Sequence, residues 1–172
     1  KKEMTQQYIY EFISWNPVFN NQLTQDVTYY PVYERMIRTY VITFLDGNNE
    51  VFDVQEVAYG QSPNHPEGTP TKQEDKQYYY EFRMWETTTV KVYQDLTINA
   101  IFYRHLQKYQ VTFVDEYNNV LNSQMVEYGN GATEPDASII PNKPSTHEYV
   151  YVFSGWDLPF SYITEDITVK TI

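Results

Sequence analysis

Apolar and polar residues alternate along this chain with a period of two, the pattern of strands that bury one face. Tyr40, Ile42 and Phe44 share one face of such a strand, and Tyr109, Val111 and Phe113 repeat the arrangement further on. Asp46-Gly-Asn-Asn49 and Asp115-Glu-Tyr-Asn-Asn119 come next, and their Asp, Asn and Gly content predicts hairpin turns. Returning strands are predicted over 51–59 and 120–128, closed by Gly60 and Gly129. The loops that follow carry Pro63, Pro66 and Pro70 in one case and Pro135, Pro141 and Pro144 in the other. Proline at that density disfavours a long helix and leaves room only for a short helical turn near 136–140. In a third strand Tyr78, Tyr80 and Phe82 share a face and Trp85 breaks the parity. A bulge at Met84, with Ser14 and Gly155 as its counterparts, would return the indole to the core. Fourth strands are predicted over 96–102, 27–33 and from 167 onwards, with Pro31 counting against a regular strand in the second of these.

These elements recur. Trp15, Trp85 and Trp156 stand 70 and 71 residues apart, each after a run of the type Tyr8-Ile-Tyr-Glu-Phe12, Tyr78-Tyr-Tyr-Glu-Phe82 or Tyr149-Val-Tyr-Val-Phe153. Asp26-Val-Thr28, Asp95-Leu-Thr97 and Asp166-Ile-Thr168 follow them. Tyr40-Val-Ile-Thr-Phe-Leu-Asp46 matches Tyr109-Gln-Val-Thr-Phe-Val-Asp115, and Val57-Ala-Tyr-Gly60 matches Val126-Glu-Tyr-Gly129, both 69 residues on. The chain therefore divides into 1–36, the C-terminal half of a partial repeat, a repeat over 37–105, and a repeat over 106–172 with its last strand truncated.

Composition narrows the function. The 172 residues carry a net charge of −11, which disfavours binding to nucleic-acid phosphates or docking on an anionic membrane surface. Cysteine is absent, so thiol catalysis, disulfides and cysteine-based metal sites are excluded. No apolar run reaches the roughly 20 residues of a membrane span, so no direct membrane insertion is expected. Aromatics make up 17%, with 18 Tyr and 9 Phe, far too many for a disordered acidic tail.

The blocks Tyr109-Gln-Val-Thr-Phe-Val-Asp115, Val126-Glu-Tyr-Gly129, Ala132-Thr-Glu-Pro135, Phe153-Ser-Gly-Trp-Asp157 and Ile163-Thr-Glu-Asp-Ile-Thr-Val169 occur in order. Together they resemble the internalin-type B-repeat, or Listeria–Bacteroides repeat, a relative of mucin-binding-type modules. The repeat over 38–105 departs from it at Met84, where glycine precedes the tryptophan, and at Pro63, which stands where Ala132 does. The resemblance implies β-rich α+β modules of the β-grasp, ubiquitin-like type, about 70 residues each, in an elongated tandem array. It also implies an extracellular place on a bacterial surface protein held by a wall or lipid anchor.

Candidate chemistry is sparse. Asp46-Gly-Asn-Asn-Glu50 has the look of a calcium loop, but its counterpart keeps no ligand spacing, so both are read as turns. His65, His105 and His147 belong to no paired metal motif and are read as surface histidines. There is no Gly-x-Ser-x-Gly elbow and no glycine-rich phosphate loop, and Glu165 and Asp166 read as solvated strand-opening residues. No catalytic, cofactor-binding or metal-binding residue is assigned, and no cofactor is expected. Trp15, Trp85 and Trp156 are expected to anchor the cores. Tyr79 must face away from Tyr78 and Tyr80, which makes it a candidate ligand or interface contact, with Tyr30 and Tyr117 as weaker ones. The junctions, 34–39 and 104–108, lack Gly, Pro and Ser, so they are expected to be stiff. Arg35, Arg38, Arg104 and Lys108 there are expected to form a basic collar that pairs with the acidic modules. The expected partners are neighbouring repeats and a host surface protein or glycan. The preferred function is a non-catalytic spacer with a contribution to adhesion. The alternative is a dedicated glycan- or glycoprotein-binding module using exposed tyrosines or strand addition.

Overall fold

A computed structural model of the chain describes residues 1–22, 24–87 and 90–172. These form β1 (Tyr8–Asn16), β2 (Tyr30–Ile37), β3 (Thr39–Leu45), β4 (Val51–Ala58), β5 (Tyr78–Trp85), β6 (Leu96–Leu106), β7 (Lys108–Val114), β8 (Val120–Glu127) and β9 (Ile167–Lys170). The strands assemble as a two-stranded ribbon β1-β2, a four-stranded sheet β4-β3-β6-β5 and a three-stranded sheet β8-β7-β9.

The β3–β4 and β7–β8 hairpins are built alike. Asp46 Oδ1 accepts the amides of Asn48 and Glu50 at 2.8 and 2.9 Å, and Asp115 Oδ1 accepts those of Tyr117 and Asn119, both at 2.8 Å. Asn49 and Asn118 supply the left-handed step, at φ 63° and 67°, that asparagine tolerates better than most residues. Next to each hairpin a later strand runs parallel, β6 beside β3 and β9 beside β7. An aspartate fixes each parallel pairing: Asp95 Oδ1 accepts the Val41 amide at 2.9 Å, and Asp166 Oδ1 accepts the Gln110 amide at 2.7 Å. Asp166, expected to be solvated, is thus a clasp between strands, because the edge of the first strand leaves an amide there for it to take.

Alternation then gives each sheet one buried face. Tyr40, Ile42, Phe44, Val57, Trp85, Val92 and Ile98 form one core, and Val111, Phe113, Val126, Ile163 and Val169 form the other. The ribbon β1-β2 has no such core, and Phe12, Ile13 and Trp15 are exposed on it.

Several expectations need correction. The helical part of an α+β fold shrinks, among the described residues, to one 3-10 turn, Ala137–Ile139. Asp136 caps it by accepting the Ser138 amide at 2.8 Å. The bulge in β1 falls between Phe12 and Ser14, so Ile13 rather than Ser14 is the extra residue. Pro31 lies inside β2 opposite Trp15, on a two-stranded ribbon where a missing N–H is tolerated. β6 runs past residue 102 to Leu106, so most of the second junction is strand. The run 149–153 forms no strand, since β9 stops at Lys170 and offers it no ladder.

The chain divides into two compact units, 1–72 with 82–102, and 73–81 with 103–172. Residues 73–81 and 103–106, the far end of the β5–β6 ribbon, belong to the second unit with the repeat that follows.

Candidate functional site

The most regular feature of the chain is the joint between a ribbon and the next repeat, and each unit contains one. A single residue separates β2 from β3 and β6 from β7, and both of its backbone groups are used. In the first unit the Arg38 amide donates to Gln7 O at 2.9 Å and Arg38 O accepts the Tyr59 amide at 2.9 Å. In the second, the Gln107 amide donates to Gln77 O at 2.9 Å and Gln107 O accepts the Tyr128 amide at 2.8 Å. A tyrosine hydroxyl locks each joint: Tyr40 Oη donates to Gln6 O at 2.7 Å and Tyr109 Oη to Lys76 O at 2.6 Å. The accepting carbonyls lie in a turn closed by Thr5 in one case and Asp75 in the other, whose side chains accept the amides of Tyr8 and Tyr78.

The basic collar behaves differently from expectation. Arg35 lies over the Tyr8 ring at 4.4 Å, Arg104 over the Tyr78 ring at 4.5 Å, and Arg38 over the Tyr40 ring at 5.0 Å. Lys108 instead forms an ion pair, 3.6 Å from Glu127. A planar guanidinium stacks on an aromatic face more readily than an ammonium does, which explains the division.

A second repeated device escaped the sequence reading. Gln55 and Gln124 point from β4 and β8 at the proline-bearing loops and imitate a strand. Gln124 Nε2 donates to Thr133 O at 2.7 Å while its Oε1 accepts the Thr133 amide at 2.9 Å, and Gln55 does the same with Asn64 at 3.0 and 2.8 Å. The 69-residue spacing of the two glutamines and of their loop partners was the available signal. Gln124→Ala should cost the second unit about 1–2 kcal/mol, two ordinary hydrogen bonds, and raise amide exchange across 130–136. Urea unfolding with site-resolved exchange measures both, and unchanged exchange there would show that the loop holds itself.

The three tryptophans occupy three environments. Trp85 is fully buried against Phe44, Phe52 and Phe82, at ring distances of 5.0, 5.5 and 5.6 Å. Trp156 is half-buried beside Phe113 at 4.8 Å, and its indole N–H donates to Glu134 Oε1 at 2.9 Å. Trp15, expected as a core anchor, is 44% exposed and packs against Phe12 at 5.5 Å, since its ribbon carries no second layer.

The candidate tyrosines differ in their surroundings. Tyr30 is exposed at the start of β2. Tyr79 stacks on His105 at 4.9 Å and 22°, with Glu81 Oε2 at 3.4 Å from the histidine. Tyr117 is exposed beside Glu116, whose carboxylate accepts the phenol's hydrogen bond and holds its pKa above the ordinary value. Among the described residues no three His, Asp or Glu side chains converge to hold a metal.

Asp115 is the buried carboxylate of the chain's described core. The Asn119 side-chain amide is the main influence holding it below the usual aspartate range. The backbone amides of Asn119 and Tyr117 and the charge of Lys170 act in the same direction, and burial opposes them. A lowered folded pKa means this turn's stabilisation is present above the unfolded value and is lost as pH falls through the lower folded one. Acid titration should therefore weaken the β7–β8 hairpin below about pH 4, and Asp115→Asn should flatten that dependence. Melting followed from pH 6 down to 2.5 provides the check, and identical slopes for parent and variant would refute it.

No protein-family model and no curated protein matches the chain. Among solved structures it is similar to streptococcal high identity repeats in tandem (SHIRT) domains 3-4 from a cell surface protein. That likeness is at 17% identity and a TM-score of 0.35, covering 77% of this chain and 96% of that one. A TM-score at that level does not define a shared fold. By its own architecture the chain is a tandem array of small β-rich repeats with almost no helix.

Proposed function

We infer that the chain is a non-catalytic spacer in an extracellular bacterial surface protein, with each ribbon held stiffly to the repeat that follows it. The observation that carries this reading is the one-residue joint whose N–H and C=O are both bonded, one towards each neighbour, in both units. A flexible tether would leave these groups to water and would be rich in glycine and serine. The surface location rests on the resemblance of the blocks over 109–169 to internalin-type B-repeats. The strand order β4-β3-β6-β5, two hairpin-like pairs meeting at a parallel centre, supports a reading as β-grasp modules that have lost most of their helix. Adhesion is a subsidiary role, and the exposed Tyr79–His105 stack is the surface most suited to it.

The test is mechanical. Four residues, Gly-Ser-Gly-Ser, inserted after Gln107 should broaden the distribution of distances between spin labels placed at Glu81 and Val120, both in the second unit, on the ribbon and on the repeat that follows it. The parent should give a narrow distribution. Equal widths in the two proteins would remove the stiff-joint reading, and with it the spacer.

A further inference from the structure

The β8 edge of the second unit lacks the protection that its counterpart, β4, has in the first. The phase of the ladder decides which backbone groups of β8 face outwards. The Gln110 amide turns to Asp166 Oδ1 and Val114 O accepts the Thr171 amide, so residues 110, 112 and 114 point away from β8. Met125 and Ser123 lie opposite Gln110 and Thr112 and therefore turn their own N–H and C=O groups away from β7, towards the open edge. Among the described residues nothing bonds to these backbone groups.

β4 is likewise the edge strand of its sheet, but it is guarded. Its outward residues are Val54 and Glu56, opposite Thr43 and Val41. Asp53 Oδ1 takes the Val54 amide at 2.8 Å, and Glu56 sets a carboxylate beside the edge. Charge and capped amides keep a sheet edge from pairing with another chain. In β8 both guards are gone. Asn122 replaces Asp53, and Met125, 62% exposed, replaces Glu56. No charged residue occurs from Val120 to Val126, in a chain whose net charge is −11.

We propose that the β8 edge pairs with the β8 edge of a second copy of the chain, antiparallel about a two-fold axis at Gln124. That axis sets Ser123 of each copy opposite Met125 of the other, and the outward N–H and C=O groups of these residues then match one another. No carboxylate meets a carboxylate, since Glu127, already paired with Lys108, falls opposite Leu121. So short an edge buries less than the roughly 1,200 Å² of a stable complex. The pairing is therefore weak and belongs to chains held at high local concentration. It stands independently of the spacer reading.

The chain has no cysteine, so introduced ones report the register without interference. Directly opposite residues of such a pair have Cα atoms about 5.5 Å apart, within reach of a disulfide. Ser123→Cys mixed with Met125→Cys should form a mixed disulfide dimer about tenfold or more faster than either variant alone, whose cysteines are offset along the strands. Val54→Cys mixed with Glu56→Cys should show no such preference, because Asp53 still caps that edge. With no cysteine introduced, sedimentation at about millimolar concentration should detect the dimer. Met125→Glu, a change on an exposed side chain, should weaken it about tenfold or more. Equal rates for the mixture and the single variants overturn the proposal, as does an equal preference on the β4 edge. So does association that Met125→Glu leaves unchanged. A chain that stays monomeric overturns it too, even if its edge captures an added unrelated strand.

Discussion

Trp85→Ala should abolish the fold of the first unit's core. The indole is fully buried among three phenylalanines, and emptying such a site costs about 3–5 kcal/mol in transfer and cavity terms. A module of about 70 residues has about 3–5 kcal/mol to lose from one small core. The same substitution at Trp15 should cost well under about 1 kcal/mol, because that ring is 44% exposed and packs on Phe12 without a second layer over it. Equilibrium unfolding of the two variants, followed by fluorescence of the remaining tryptophans, separates the cases. Similar losses at both positions would show that the ribbon hides a core of its own. Trp85→Phe is the companion variant. Among the described residues the buried indole nitrogen has no hydrogen-bond partner, so the smaller ring removes an unmet donor along with some packing. It should fold.

Phe113→Ala does to the second unit what Trp85→Ala does to the first. Phe113 is fully buried and sits edge-on to both Trp156 and Phe160, at 4.8 and 5.1 Å. This core has fewer fully buried members than the other, so a loss of about 3–5 kcal/mol should leave 109–169 unprotected against amide exchange. Arrays of repeats couple mainly to nearest neighbours, so the core around Ile42 and Ile98 should stay protected. Collapse of both cores together would mean that the chain folds as one cooperative body.

Period-two alternation placed the strands of the two larger sheets well because each of those sheets buries one face and wets the other. The turns were equally legible, since Asp46 and Asp115 bond their own neighbours and need nothing from the rest of the chain. Long-range pairing was not legible. Asp166 looked solvated because the amide it binds, that of Gln110, lies more than fifty residues away in sequence. Gln55 and Gln124 looked like ordinary surface polar residues for the same reason. The tryptophans looked equivalent because spacing records repetition and says nothing about whether a second layer covers the ring. The arginines were read as ion-pair partners from charge alone, whereas aromatic faces lay closer. The tyrosine candidates were legible as exposed residues, but no pattern in the sequence named the neighbours they find, His105 for Tyr79 and Glu116 for Tyr117.

The single-residue joint also limits how such an array can change length. Strands continue on both sides of Gln107, so adding or removing one residue there would turn every following side chain to the opposite face of its sheet. Copies of the repeat can differ in size only where the chain is slack. They do: the offset between corresponding positions is 69 through the β3–β4 and β7–β8 hairpins and 71 after the proline-bearing loops. Unequal crossing-over between copies that keeps the joint intact exchanges whole modules in register, and the loops absorb the difference in length.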